Sequence, residues 1–135
     1  MLRTMPRTMQ RMRMIMLSAI AALVMTAPTW AAECTIERDK LDDALRATPS
    51  CAAAYRLFEL CEYGASGDVP LGAIVQEKCE ADFLPRLDGA RKGSYRKKLA
   101  VCNHKYAKED GTMYRSFEAF CRAGAARDFS KRYSR

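Results

Sequence analysis

The chain has 135 residues, a formal net charge of +7, six cysteines and one histidine. Its length indicates one small domain and disfavours a multidomain architecture. Zinc ligands usually come in close pairs, and the sequence contains no Cys-x-x-Cys pair, so we expect no metal site and no cofactor.

Residues 1–31 have the pattern of a secretory signal peptide. Arginines precede an apolar core of 13 residues at positions 15–27, and Thr29 and Ala31 are small enough to permit cleavage before Ala32. A membrane-spanning helix needs about 20 apolar residues, so this core is too short for one. We therefore expect a single mature domain at 32–135, periplasmic or secreted and without a transmembrane segment.

Charge is distributed unevenly along the mature part of the chain. Residues 32–90 contain 6 basic and 12 acidic residues, whereas residues 91–135 contain 13 basic and 4 acidic ones. The two halves either attract each other or leave a basic face for an anionic partner, such as lipid head groups or cell-wall polymer. The interleaved aromatic and basic residues of nucleic-acid modules are absent, so no nucleic-acid partner is expected.

Helical periodicity predicts an all-α fold, because apolar residues recur three and four positions apart and no alternating run indicates a strand. Turn residues separate five predicted helices, at 35–47, 51–63, 69–87, 90–108 and 113–133. Ser50 is a predicted N-cap, as is Thr112, which follows a helix-ending Gly111. Pro85 is expected to bend or shorten the third helix. Gly124 offers an alternative end for the fifth.

The cysteines predict a disulfide framework, because their number is even and all six follow the leader. In an antiparallel hairpin, positions equally far from the turn face each other. Among the 15 possible connectivities of six cysteines, this symmetry favours Cys34–Cys61, Cys51–Cys79 and Cys102–Cys121, with the pairing of the first four cysteines left open. The expected architecture is a small disulfide-stabilised bundle of about five helices built from antiparallel helical hairpins.

No catalytic motif stands out. His104 is the only histidine, and its position in a predicted helix favours a surface location. No Gly-x-Ser-x-Gly motif accompanies it, and no carboxylate pair is singled out by spacing. We expect no catalytic residues and interpret the chain as a non-enzyme, with a small enzyme as the remaining alternative. An aromatic stripe in the last helix is interpreted as core; it comprises Tyr114, Phe117, Phe120, Phe129 and Tyr133.

One stretch resembles a known family. Cys102, Gly111 with Thr112, Cys121 and Arg127 follow one another at spacings similar to those in the C-terminal part of LprI-type lysozyme inhibitors. The spacing of Leu87, Tyr95 and Cys102 is of the same style. The likeness covers residues 79–130, and residues 32–78 lie outside it. It implies a helical, periplasmic, non-catalytic protein that binds glycan-cleaving enzymes, but it does not identify the inhibitory residues.

Two binding functions follow for an exported protein of the bacterial cell envelope. The first is a lysozyme inhibitor-like protein that contacts a cationic enzyme through its acidic half. Its candidate partner contacts are Ser66, Gly67 and Asp68 in a glycine-rich loop, with Asp68 entering the enzyme cleft or capping the third helix. The second is a protein that binds an anionic surface, lipid or cell-wall polymer, through its basic C-terminal half.

Overall fold

The computed structural model describes residues 33–134, and the predicted signal peptide lies outside this range. Five α-helices make up most of the described chain, and it contains no strand, so the all-α prediction is confirmed. The helices are α1 (Leu41–Ala47), α2 (Cys51–Leu60), α3 (Asp68–Phe83), α4 (Gly89–Tyr106) and α5 (Thr112–Tyr133). Short 3₁₀ turns, Arg38–Lys40 and Leu84–Arg86, precede α1 and follow α3.

Local chemistry explains several helix boundaries. The Ser50 hydroxyl accepts a hydrogen bond from the backbone N–H of Ala53 at 3.2 Å, which is the predicted cap of α2. Asp88 caps α4 in the same way through the N–H of Arg91. The third helix ends earlier than predicted, because Pro85 lies in a tighter 3₁₀ turn after Phe83 and cannot donate to an α-helical bond.

The two glycines Gly111 and Gly124, one before α5 and one within it, differ in role. Gly111 has a φ of +113°, a conformation that only glycine adopts without strain, and it separates α4 from α5. The predicted capping bond from Thr112 is absent. Gly124 does not end α5: a Cβ there would lie 3.4 Å from the Tyr55 hydroxyl, so α2 packs directly over this position. The alternative end at Gly124 is therefore wrong.

Helices α3 and α5 form the central pair of the bundle, and they run parallel. The Ser116 hydroxyl donates to the Asp68 carboxylate at 2.6 Å near the start of both helices. The Ser130 hydroxyl donates to the Asp82 carboxylate at 2.9 Å near their ends. Because residue numbers rise together along the pair, α4 must return antiparallel to both. The predicted hairpins α2–α3 and α4–α5 are thus arranged around a parallel contact.

These two helices approach each other closely at Gly72. A Cβ at this position would lie 3.0 Å from the Ala119 Cβ and 3.2 Å from the Ala119 carbonyl oxygen. The neighbouring atoms include backbone, which cannot turn away as a side chain can. Glycine opposite alanine therefore sets the spacing between α3 and α5.

Aromatic side chains complete the core around this pair. Phe58 of α2 stacks on Phe120 with ring centroids 4.0 Å apart, and Phe83, Tyr95 and Phe129 form a second cluster. The fully buried aliphatic residues include Leu41, Leu45, Ala54, Val75, Ala123 and Ala126. The prediction that Phe117 belongs to this core is wrong, because Phe117 is 42% exposed, and Met113 one turn earlier on α5 is 47% exposed.

Three disulfides tie the elements together, with the same pairs that the hairpin symmetry predicts. Cys34–Cys61 joins the N-terminal segment to the end of α2, Cys51–Cys79 joins α2 to α3, and Cys102–Cys121 joins α4 to α5. Their Cα–Cα distances lie between 4.6 and 5.6 Å, within the normal range for disulfides. All six cysteines are bonded.

The α4–α5 bond gives a prediction for stability. Cys102→Ser should lower the free energy of unfolding by about 3 kcal/mol, because the unfolded chain gains the freedom that this crosslink removes. Cys121→Ser should cost the same, and the double variant little more than either, since one bond is lost in each case. Urea unfolding measures all three; additive losses would show that the cysteines have different partners.

The α3–α5 contact gives a second prediction. Gly72→Val should destabilise the protein by about 1–3 kcal/mol, the usual cost of forcing extra carbon into a packed interior. Gly93→Val is the matched control, because Gly93 is also helical and a Cβ there meets no atom within 4 Å. Thermal unfolding compares the two. Equal stability of the two variants would contradict the proposed contact at Gly72.

Candidate anionic-surface interface

Helix α4 combines high positive charge with high exposure. The stretch 89–108, which is α4 with the two residues after it, contains seven lysines and arginines and no acidic residue. Only Tyr95 and Cys102 of the helix are buried, because α4 contacts the bundle along one narrow stripe. The seven cations are Arg91, Lys92, Arg96, Lys97, Lys98, Lys105 and Lys108.

Three of these lysines surround an exposed valine. Lys97 and Lys98 precede Val101 by four and three residues, and Lys105 follows it by four. Residues three and four apart are neighbours on a helix surface, so the three lysines and Val101 lie on one side of α4. Val101 is 60% exposed. Arg132 of α5 lines the same shallow groove between the two helices, so it adds a fifth member. These five residues are called the cationic face below.

Acidic neighbours neutralise little of this charge. Among ion pairs within residues 33–134, α4 contributes only Arg91, whose guanidinium lies 3.7 Å from the Asp88 carboxylate. Asp128 also lines the groove, but its carboxylate accepts from Arg127 at 2.8 Å. The lysines of the cationic face therefore present their charge to solvent, and the field is strongest where they cluster.

A network of hydrogen bonds fixes α4 to the central pair. Glu80 of α3 accepts from the Tyr95 hydroxyl at 2.7 Å and from the Gln76 amide at 2.6 Å. Arg122 of α5 donates to Gln76 at 3.1 Å and to Asn103 of α4 at 2.7 Å. Burial, followed by the bond to Glu80, raises the pKa of Tyr95. The network and the Cys102 bond hold α4 at both of its ends.

Aromatic residues cluster where α4 meets α5. The Phe117 ring lies 6.1 Å from both Tyr106 and Tyr114, measured between centroids. Lys105 places its ammonium 5.1 Å from the Tyr106 ring, which connects this cluster to the cationic face. Met113 is exposed beside the start of α5. Tyr106, Met113, Tyr114 and Phe117 are called the hairpin tip.

The prediction that Asp68 contacts a partner from an exposed loop is wrong, because the side chain of Asp68 is fully buried. Its carboxylate accepts from the backbone N–H groups of Tyr63 at 2.8 Å and Gly64 at 2.9 Å, in addition to Ser116. It holds the loop before α3 closed and cannot enter an enzyme cleft. Of the three predicted contacts, Ser66 and Gly67 are exposed.

His104 lies on the exposed surface of α4. Within residues 33–134, no three histidine, cysteine, aspartate or glutamate side chains are grouped as metal ligands would be. In the same range no helix has the length and hydropathy needed to cross a bilayer.

Comparison of the chain with protein-family models, with curated proteins and with solved structures gives no match. The resemblance to LprI-type inhibitors therefore stays a hypothesis that rests on residue spacing.

The burial of Asp68 gives a third prediction. Asp68→Asn should lower the free energy of unfolding by about 2 kcal/mol, because one amide oxygen cannot accept three bonds and the new NH₂ group faces a donor. Asp42→Asn on the exposed side of α1 is the matched control and should change stability by less than about 0.5 kcal/mol. Urea unfolding compares them. Unchanged stability of Asp68→Asn would contradict the role of Asp68 in closing the loop.

Proposed function

We propose that the protein is an exported, non-catalytic binding protein of the bacterial cell envelope that attaches to an anionic surface, lipid or cell-wall polymer. The cationic face is its binding surface. The observation that carries this proposal is the exposed stretch 89–108, which is α4 with the two residues after it and bears seven cations and no acidic residue over 20 positions.

Two features support export. The N-terminal sequence has the pattern of a signal peptide, and three disulfides stabilise the domain. Disulfides persist in oxidising compartments such as the periplasm, whereas the cytoplasm keeps thiols reduced.

The charge of the cationic face is large enough for reversible attachment. Each lysine or arginine close to an anionic membrane contributes about 1 kcal/mol. Four such residues therefore supply about 4 kcal/mol, or roughly a thousandfold preference for the charged surface. Because exposed charges are screened beyond about 10 Å at 0.1 M salt, this attachment should weaken as salt is added.

Lysozyme inhibition is the second candidate, favoured by the resemblance around Cys102–Cys121. Its electrostatic basis is weaker. Residues 32–90 contain 12 acidic and 6 basic residues, a net charge of −6, which is smaller in magnitude than the +9 of residues 91–135. Asp68, the charged member of the predicted loop contacts, is also buried and cannot touch a partner. Of the three predicted loop contacts, only Ser66 and Gly67 are exposed, and neither carries a charge.

A triple variant that removes three positive charges from α4 gives the fourth prediction. Lys97→Gln/Lys98→Gln/Lys105→Gln should weaken binding to phosphatidylglycerol vesicles by on the order of 100-fold, from about 1 kcal/mol per residue. Vesicle co-sedimentation at several salt concentrations measures binding, with phosphatidylcholine vesicles as the neutral reference.

A second triple variant controls for net charge. Lys40→Gln/Arg46→Gln/Arg56→Gln removes the same charge from exposed positions outside α4, and it should bind nearly as well as the unaltered protein. Equal losses in both variants would refute the cationic face as the binding surface. Inhibition of lysozyme-catalysed lysis of cell walls, unchanged in the α4 variant, would support the inhibitor function instead.

A further inference from the structure

Resting on the proposed function, we infer that the anionic surface is a phospholipid bilayer and that the hairpin tip inserts into its interface. Exposed apolar side chains accompany the lysines of the cationic face. A soluble polyanion needs cations alone, but this surface also exposes Val101, Met113 and Phe117.

The arrangement of the hairpin tip suits a lipid interface. Tyrosine rings are favoured at the level of the head groups, because they offer an apolar body and a polar hydroxyl. The rings of Tyr106 and Tyr114 each lie 6.1 Å from the more apolar Phe117 ring. Both tyrosines are half-buried, whereas Phe117 is 42% exposed, so Phe117 is the ring of this cluster that is free to reach the acyl chains.

The cationic face is continuous with this tip. Lys105 lies over the Tyr106 ring at 5.1 Å, and Val101 is one turn earlier on α4. Long lysine side chains can lie along apolar surface while their ammonium groups reach outward to phosphate. An exposed valine among lysines therefore fits a surface that meets lipid, where apolar and anionic groups lie within one side-chain length.

The charge of the turn itself favours shallow insertion. Glu109 and Asp110 are exposed in the turn after α4, next to Lys108. Arg115 donates to the Glu109 carbonyl at 3.1 Å, which holds this turn against α5. Carboxylates disfavour deep burial in an anionic bilayer, so the turn remains among the head groups. The lysines of α4 supply the attraction, and Phe117 with Met113 supplies the apolar contact.

A tryptophan probe tests this inference. Trp30, the only tryptophan of the chain, lies in the predicted signal peptide. In a Trp30→Phe background, Phe117→Trp should show a blue-shifted emission and protection from acrylamide on phosphatidylglycerol vesicles. With soluble dextran sulfate it should bind without either change, because no apolar phase is present.

The matched probe is Ala52→Trp in the same background. Ala52 is exposed at the start of α2. The ring centroid of Tyr55, one turn later, lies 4.0 Å from the guanidinium carbon of Arg127. Arg127 is ten residues beyond Phe117 on α5, or about 15 Å along the helix axis. Emission of the Ala52→Trp probe should not change on vesicles. An equal shift of both probes would overturn insertion through the hairpin tip.

A loss-of-contact variant separates insertion from attraction. Phe117→Ser should weaken binding to phosphatidylglycerol vesicles about tenfold, the effect expected from one partly buried aromatic side chain, and leave dextran sulfate binding unchanged. Vesicle binding that depends on the α4 lysines but shows no shift at position 117 would overturn the inference and leave the proposed function intact. Absence of any vesicle binding would overturn insertion, and lysine-independent binding would overturn the proposed function.

Discussion

Gly72 and Ala119 allow the backbones of α3 and α5 to approach so closely that no side chain separates them, and the remaining architecture depends on this contact. The two helices run parallel, with paired Asp–Ser hydrogen bonds near each end. To connect the end of α3 to the start of α5, the chain has to run back along the pair, and here it does so as the antiparallel helix α4. Since the space between α3 and α5 is closed, α4 has to lie on the outside of the pair.

This peripheral position explains how α4 can carry so much charge. A helix held on one narrow stripe needs few apolar residues, and the apolar stripe of α4 consists of the buried Tyr95 and Cys102 with the half-buried Leu99 and Tyr106. Such a helix would be weakly held by apolar contacts alone. The Cys102–Cys121 bond and the Tyr95–Glu80 hydrogen bond supply the additional attachment. The remaining surface of α4 is then available for binding.

Much of this fold is predictable from the sequence, because the signals are local. Periodicity and turn residues identify the five helices, and the symmetry of cysteines about each turn identifies the three disulfides. The parallel contact of α3 and α5 is not predictable in this way, since it joins residues almost 50 positions apart. The burial of Asp68 could not be predicted for the same reason, since its partner Ser116 lies on α5. In the sequence, a loop carboxylate next to glycines has the pattern of an exposed residue.

The binding surface is only partly predictable. The excess of basic residues after position 90 indicates an anionic partner, and the absence of acidic residues from 89–108 locates the charge on one helix. The hairpin tip could not be recognised, because Phe117 has the same helical spacing as Phe120. Phe120 is half-buried against the core with the Phe58 ring of α2 stacked on it, whereas Phe117, one turn earlier, is exposed.

Lysine footprinting tests the central claim, that α4 is the surface in contact with the partner. Acetylation of the folded protein with and without phosphatidylglycerol vesicles, read by mass spectrometry, reports each lysine separately in one sample. The account predicts that Lys97, Lys98 and Lys105 become protected on vesicles, while Lys40, exposed on the 3₁₀ turn before α1, reacts at an unchanged rate. Protection of Lys40 with continued reaction of the three α4 lysines would contradict it.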